Sequence, residues 1–267
     1  MDVTDVLQAE LSASNDRLLA DVAELSDTDV TGGSRLPGWS RGHVLTHLAR
    51  NADSLVNLLT WARTGVKTPQ YPDPGRRDLD IEAGAGRPAR EQFADLEAST
   101  ARFAEAAAAL SGANWSAPVG TAPVLHPAWY VLARRAREVE VHHADLGTGY
   151  GPADWPEAFA RRELHDAMLC WPRELSVVSE IVVEEVRDGE NHHQVWRDLG
   201  TGPVLQGDVW SLLGWLTGRA SGAGLKVMPE GTAGNLPAEA RAAPAPPGWP
   251  ARSAPTGLPS NPPEEYP

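Results

Sequence analysis

The chain has 267 residues, a formal net charge of -13 and a single cysteine, a length that supports a substantial core and more readily holds two domains than one. The acidic balance, with no basic stripe, excludes the electrostatic footprint of a nucleic-acid partner, and the lone Cys170 excludes an intrachain disulfide or a Cys-rich zinc cluster. The acidic start MDVTDVLQAE and the lack of any apolar run of spanning length predict neither a signal peptide nor a membrane segment, so a cytoplasmic protein is expected.

In chain order, Val6, Leu7, Leu11, Leu18, Leu19 and Val22 recur at helical spacing, which predicts an amphipathic helix from Val3 to about Leu25 with Asp2 or Thr4 as its cap. The Gly- and Pro-containing segment TGGSRLPGWS breaks that pattern, and Ser40 is placed to N-cap a second helix reaching about Arg63. Val44, Leu48, Leu55 and Leu59 form its apolar face; His47 sits at the margin of that arc, while His43 is rotated toward solvent. Residues 64–87 have no clean period and read as a long exposed connection. A third helix is expected from about Pro88 to Leu110, because Pro is tolerated at a first turn and the Ala-rich run that follows favours helix. After a loop holding Trp115, a fourth is expected to begin near His126 or Pro127 and to stop at Gly147, a plausible C-cap. Four helices of similar length predict an all-α four-helix bundle over residues 1–152.

The second half changes character. A helix is expected over Asp154–Trp171, followed by SEIVVEEVRDG and HHQVWRDLG, two β-rich runs separated by the turn signal Asp188-Gly189 that read as a hairpin. PVLQGD, an apolar helix from Val209 to about Arg219 and the strand-like GLKVM complete an α+β domain over residues 153–249. The Pro-rich tail, residues 250–267, reads as disordered. The chain shows no internal repeats.

Chemistry concentrates in RRAREVEVHHADLGTGY, residues 134–150. Glu138 and His142 lie four apart and so point the same way on a helix, the spacing from which metal sites in bundle cores are built. Glu140 and His143 compete for the role. The apolar arc through Val131, Leu132, Val139 and Leu146 contains His142 and has Glu138 at its edge, whereas Glu140 points to the far side, which favours Glu138 with His142. Zinc needs at least three protein ligands, and His47 on the second helix is the candidate for the third, with His43 as the alternative. Each residue also has an ordinary reading. A His at the edge of an apolar face is commonly a hydrogen-bonded, partly buried residue, Glu138 has neighbouring arginines to pair with, and Arg219 near a helix C-terminus is favourable to the backbone dipole. His192 and His193 flank a turn and are expected to be exposed.

The runs LPGWSRGHVLTHLARNAD, REVEVHHADLGTGY and VWSLLGWLTGR, in that order, resemble the mycothiol-dependent maleylpyruvate isomerase family over nearly the whole chain up to about Trp249. The resemblance implies a DinB-like metal-binding four-helix bundle followed by a small, sterol-carrier-like α+β domain. It places the family's metal ligands on His47, Glu138 and His142 and its required arginine on Arg219. It further implies a divalent metal, zinc by preference, with mycothiol as the thiol cofactor and a small dicarboxylate as substrate. The expected reaction is conversion of maleylpyruvate to fumarylpyruvate in gentisate-type aromatic breakdown. Metal coordination would deprotonate the thiol, and Arg219 would hold the dianion bidentately from the second domain. A mycothiol S-transferase, adding the same thiolate permanently to an electrophile, is the alternative enzyme, and a non-catalytic metal- or lipid-binding module the alternative of another class.

Overall fold

The computed structural model describes residues 2–73, 75–121, 124–187, 190–230, 242–249 and 253–267. It is mostly helical with a small sheet region and divides into two compact units, Met1–Tyr150 with Gly257–Tyr266, and Gly151–Thr256 with Pro267.

Among the described residues, the first unit holds six α-helices: α1 (Val3–Ala23), α2 (Asp27–Thr31), α3 (Arg41–Thr64), α4 (Arg76–Ala85), α5 (Ala89–Ala108) and α6 (Tyr130–Leu146). Their starts follow local chemistry. Asp2 accepts from the backbone N–H groups of Thr4 and Asp5, Ser40 accepts from that of His43, and each such bond satisfies a donor the first helical turn would otherwise leave open. Gly147 ends α6 in the left-handed region at φ 68°, which a residue without Cβ adopts at no steric cost. The long helices then pack in a ring, α3 against α5 and α6, and α1 against the same two. Because α3 also carries α4, it is buried on several sides: Val44, Leu45, Leu48, Leu55, Leu58 and Leu59 are all fully inaccessible.

Three expectations change here. The connection 64–87 contains α4, whose buried set is only Ile81, Gly84 and Ala85, too short a stripe to register as a period. What fixes α4 is close approach: a Cβ on Gly42 would fall 2.1 Å from the Ala85 carbonyl oxygen, and one on Gly84 2.6 Å from Thr46 Cγ2. The fourth long helix begins at Tyr130, because His126 and Pro127 instead belong to an antiparallel hairpin of β1 (Pro118–Thr121) and β2 (Val124–Pro127). Its open end is tied to α6 by Ala128 N–H donating to Ala117 O and Trp129 N–H to Trp115 O. The tail, which composition reads as disordered, has partners in its described part. Trp129 Nε1 donates to Pro259 O at 2.9 Å, Ser116 Oγ donates to Asn261 Oδ1 at 2.6 Å, and Tyr266 meets the Trp129 ring edge-on at 5.0 Å. A buried indole N–H requires an acceptor, and the tail provides it.

The second unit contains α7 (Glu157–Leu169), β3 (Glu180–Arg187), β4 (Glu190–Trp196), β5 (Val204–Gly207), α8 (Val209–Leu216) and β6 (Lys226–Met228). The strands form one sheet in the order β4-β3-β5-β6, antiparallel except for the parallel pair β3 and β5. Val182, Val204 and Met228 form a buried cluster with Val195 packed on it. The turn signal Asp188-Gly189 lies outside the described residues. The helix expected over 154–171 is shorter at both ends because Pro156 occupies its N-cap and Cys170 its C-cap. Likewise α8 stops at Leu216, with Gly218 at φ 73° turning the chain before Arg219.

Candidate metal centre

Three side chains from α3 and α6 converge. His47 Nε2 lies 2.9 Å from Glu138 Oε2, and His142 Nε2 lies 3.4 Å from the same oxygen. The two imidazoles meet edge to face with centroids 4.6 Å apart. One ligand-type atom from each of the three lies within 4.8 Å of the others. The i,i+4 spacing stacks Glu138 and His142 on one side of α6. His47 reaches them because α3 packs directly against that side, and burial of α3 on several sides turns a residue at the margin of its apolar arc into an interior one. Side-chain exposure falls from 27 % at Glu138 through 18 % at His142 to 4 % at His47, so the cluster is reached from the Glu138 and His142 side.

The competing residues are engaged elsewhere. His43 Nδ1 accepts from the Ser40 backbone N–H at 3.1 Å within the capping box of α3, and its Nε2 lies 3.6 Å from Glu82. His143 Nε2 lies 2.8 Å from Asp21 Oδ2, and its ring stacks on Tyr150 at 3.9 Å. Glu140, which the helical wheel assigns to the far side of α6, is buried to 1 % exposure. That far side is where α1 packs. Ser14 Oγ and Tyr150 Oη both donate to the Glu140 carboxylate, and Arg17 Nη2 donates to it at 2.8 Å. Single-helix periodicity cannot reveal a second covered face.

Protonation follows from the partners. Burial pushes the His47 imidazole down, and the bond to Glu138 only partly opposes it, leaving its pKa below the ordinary value. At His142 burial also pushes down, but hydrogen bonds to Asp145 and Glu138 prevail and raise the pKa. For Glu138 burial pushes up, while the bonds from His142 and His47 outweigh it and hold the carboxyl well below the usual range. Arg77 Nη2 donates to His47 Nδ1 at 3.3 Å, which puts the His47 proton on Nε2, facing Glu138.

The donor set suits a divalent metal. Two imidazoles and a carboxylate are ligands zinc accepts, and three protein ligands leave a position for a further group. His142 has the usual support, since its Nδ1–H donates to Asp145 Oδ2 at 2.8 Å, which directs Nε2 inward. If Nε2 of His47 served as a ligand, the proton would move to Nδ1, which could then no longer accept from Arg77. Sequence reasoning did not single out Asp145, Arg77 or Trp39. Asp145, three residues after His142, was legible from spacing. Arg77 lies on α4, which has no period to find, and its guanidinium carbon sits 5.8 Å from the centre of the Trp39 ring, itself 5.8 Å from the His47 ring. Arg219 follows α8 in the second unit, where its Nη1 donates to Thr217 O at 2.6 Å, a contact of the kind that suits a cation at a helix C-terminus.

The family model for the mycothiol maleylpyruvate isomerase N-terminal domain matches residues 11–147. The crystal structure of a mycothiol-dependent maleylpyruvate isomerase is similar at a TM-score of 0.75 and 26% sequence identity, over 92% of this chain and 97% of that one. A histidine-to-alanine variant of such an isomerase is similar at the same TM-score and coverage with 25% identity. No curated protein matches the chain. With the family model spanning just over half of its length and solved members superposing on nearly all of it, this chain belongs to the mycothiol maleylpyruvate isomerase family.

Proposed function

We propose that the chain is a mycothiol-dependent cis-trans isomerase that converts maleylpyruvate to fumarylpyruvate, with His47, Glu138 and His142 holding a divalent metal, zinc by the chemistry of the donor set. The observation that carries this reading is the convergence of those three donors within 4.8 Å in a member of this family. In the same reading, the helical unit is a DinB-like four-helix bundle and the second a sterol-carrier-like α+β domain, working in the cytoplasm where a small thiol stays reduced.

A bound zinc ion would lower the pKa of a thiol at its open position, so that mycothiol is present as thiolate at neutral pH. Cis-trans exchange requires temporary loss of the π-bond. Reversible addition to the alkene carbon β to the ketone, with the π-electrons held on the carbonyl oxygen while the remaining single bond rotates and the same thiolate then expelled, is the chemistry the bound thiol would supply, and it would consume no proton or redox equivalent. Asp145 keeps the proton of His142 on Nδ1 and its Nε2 directed inward. Glu138 remains ionised. Arg77, released from His47 Nδ1 by the tautomer change, would offer a cation to one substrate carboxylate, and Arg219 is the proposed bidentate partner for the dianion and its enolate.

The test uses the purified full chain loaded with zinc. Conversion of maleylpyruvate to fumarylpyruvate should depend on both mycothiol and metal, and His47→Ala should lose both zinc and activity while its helical circular dichroism is retained. Stoichiometric zinc in His47→Ala would overturn the ligand set. A stable mycothiol adduct with an electrophile, in the absence of isomerisation, would replace the isomerase reading with that of an S-transferase.

A further inference from the structure

Helix α6 is covered on almost every side. Of its 17 residues only Arg134, Glu138 and His142 keep part of their surface open, and their spacing of four sets them in one stripe along the helix. Two of them are metal-type donors. The third is a cation one turn away, about 6 Å along the axis from Glu138. Arg134 Nη1 donates to His126 Nε2 at 3.0 Å and Nη2 to Gln70 Oε1 at 3.1 Å. His126 is the acceptor because its own Nδ1–H donates to Pro127 O at 3.0 Å. Both partners are uncharged, since burial pushes the His126 pKa down to about 4, and Arg134 forms no ion pair among the described residues. Burial disfavours its charge, and Glu138 only partly offsets that, because its carboxylate is directed at His47 and His142. A partly buried cation without a carboxylate partner is costly, and its planar fork has further N–H donors to offer an anion.

We propose that Arg134 determines the substrate class of the triad: it receives one carboxylate of the substrate and so selects electrophiles that carry such a group over uncharged ones. His126 and Gln70 are positioning residues that fix the plane of its fork. Gln70 and Arg77, which donates to His47, border one hollow of about 470 Å³, room for a small molecule next to the stripe. The acids bordering it, Asp73 and Asp78, are exposed, and Asp78 is paired with Arg77 at 2.9 Å. The inference rests on the reading of the triad as the reacting centre, but holds whether the thiol is expelled again or stays on the product.

Glutarate is the probe, a small dicarboxylate with no double bond for a thiol to attack. Titrated calorimetrically into the zinc-loaded full chain, it should saturate below about 20 mM, and its uncharged counterpart glutaramide should bind about tenfold more weakly or less. Arg134→Gln should weaken glutarate about 10- to 100-fold, the usual range for a hydrogen bond to a charged group. Arg134→Lys retains the charge, and with it the fold, but cannot bond His126, Gln70 and an anion from one plane, so it should lose about tenfold. Glutarate affinity within twofold of wild type in either folded variant, or no saturation of wild type up to about 20 mM, would overturn the proposal and leave Arg134 as a tie between α6, β2 and Gln70. Zinc content reads the triad separately and should be equal in all three proteins. Stoichiometric zinc with glutarate binding that ignores Arg134 would overturn this proposal alone. A chain that binds no zinc but keeps Arg134-dependent glutarate binding would support the anion site and overturn the triad reading.

Discussion

Asp145 offers the sharpest examination of the proposed metal centre because it touches the triad at one atom and contributes no ligand. Its Oδ2 lies 2.8 Å from His142 Nδ1, and the residue is 1 % exposed, so water cannot easily replace it. Asp145→Ala would leave the His142 ring free to turn and its Nδ1–H without an acceptor, a loss of roughly 1–3 kcal/mol for a buried polar group. Carboxylates that support a ligating His typically account for about 10- to 100-fold in metal affinity, or roughly 1.4–2.7 kcal/mol. Asp145→Ala should fall near the upper end. Asp145→Asn retains an acceptor but loses the charge and should fall near the lower end. Competition of the apoprotein against a chromophoric zinc chelator gives the affinity, with thermal melting as the control for folding. The backbone bond from Arg35 N–H to Asp145 O at 2.8 Å survives either change. Zinc affinity within twofold of wild type in a folded Asp145→Ala protein would refute the reasoning, because His142 would then need no support, or would not be a ligand.

Further outcomes follow from separate contacts. Burial and then the Arg134 charge lower the His126 pKa from 6.5 to about 4; the unfolded chain therefore binds a proton that the native state refuses. Stability should be full above pH 6.5, decline by up to about 3 kcal/mol as pH falls to 4, and level off below; His126→Gln should flatten that part of a denaturant-derived stability profile, and an unchanged slope would exclude His126 as its source. Gly42→Ala should cost roughly 1–3 kcal/mol in urea denaturation, since its Cβ would fall 2.1 Å from the Ala85 carbonyl oxygen; wild-type stability would mean that α4 yields freely. Arg219→Lys keeps the charge and loses the planar fork, so it should reduce isomerase turnover steeply with zinc content unchanged. A fully active Arg219→Ala would return Arg219 to its helix-terminal contact with Thr217.

What the sequence by itself determined is what each segment can satisfy alone. The caps at Asp2 and Ser40, the stop at Gly147 and the apolar period of the long helices depend on residues within one turn of one another, so composition and spacing were sufficient. The alignment of Glu138 with His142 was legible for the same reason, since 3.6 residues per turn fixes it before any tertiary contact exists. The tertiary structure decided whatever depends on a second element. Helix α4 is held by the close approach of Gly42 and Gly84 to their neighbours, β1 and β2 by each other, and β3 by a parallel partner distant in sequence. Glu140 defied its helical wheel because α6 is covered on more than one side, by α1 as well as α3. Arg77 and Trp39 came to lie beside His47 only once α3 and α4 had packed. A hydrophobic period records one buried face. Where helices touch neighbours on several faces, the identity of those neighbours decides which polar side chains are buried and what they meet.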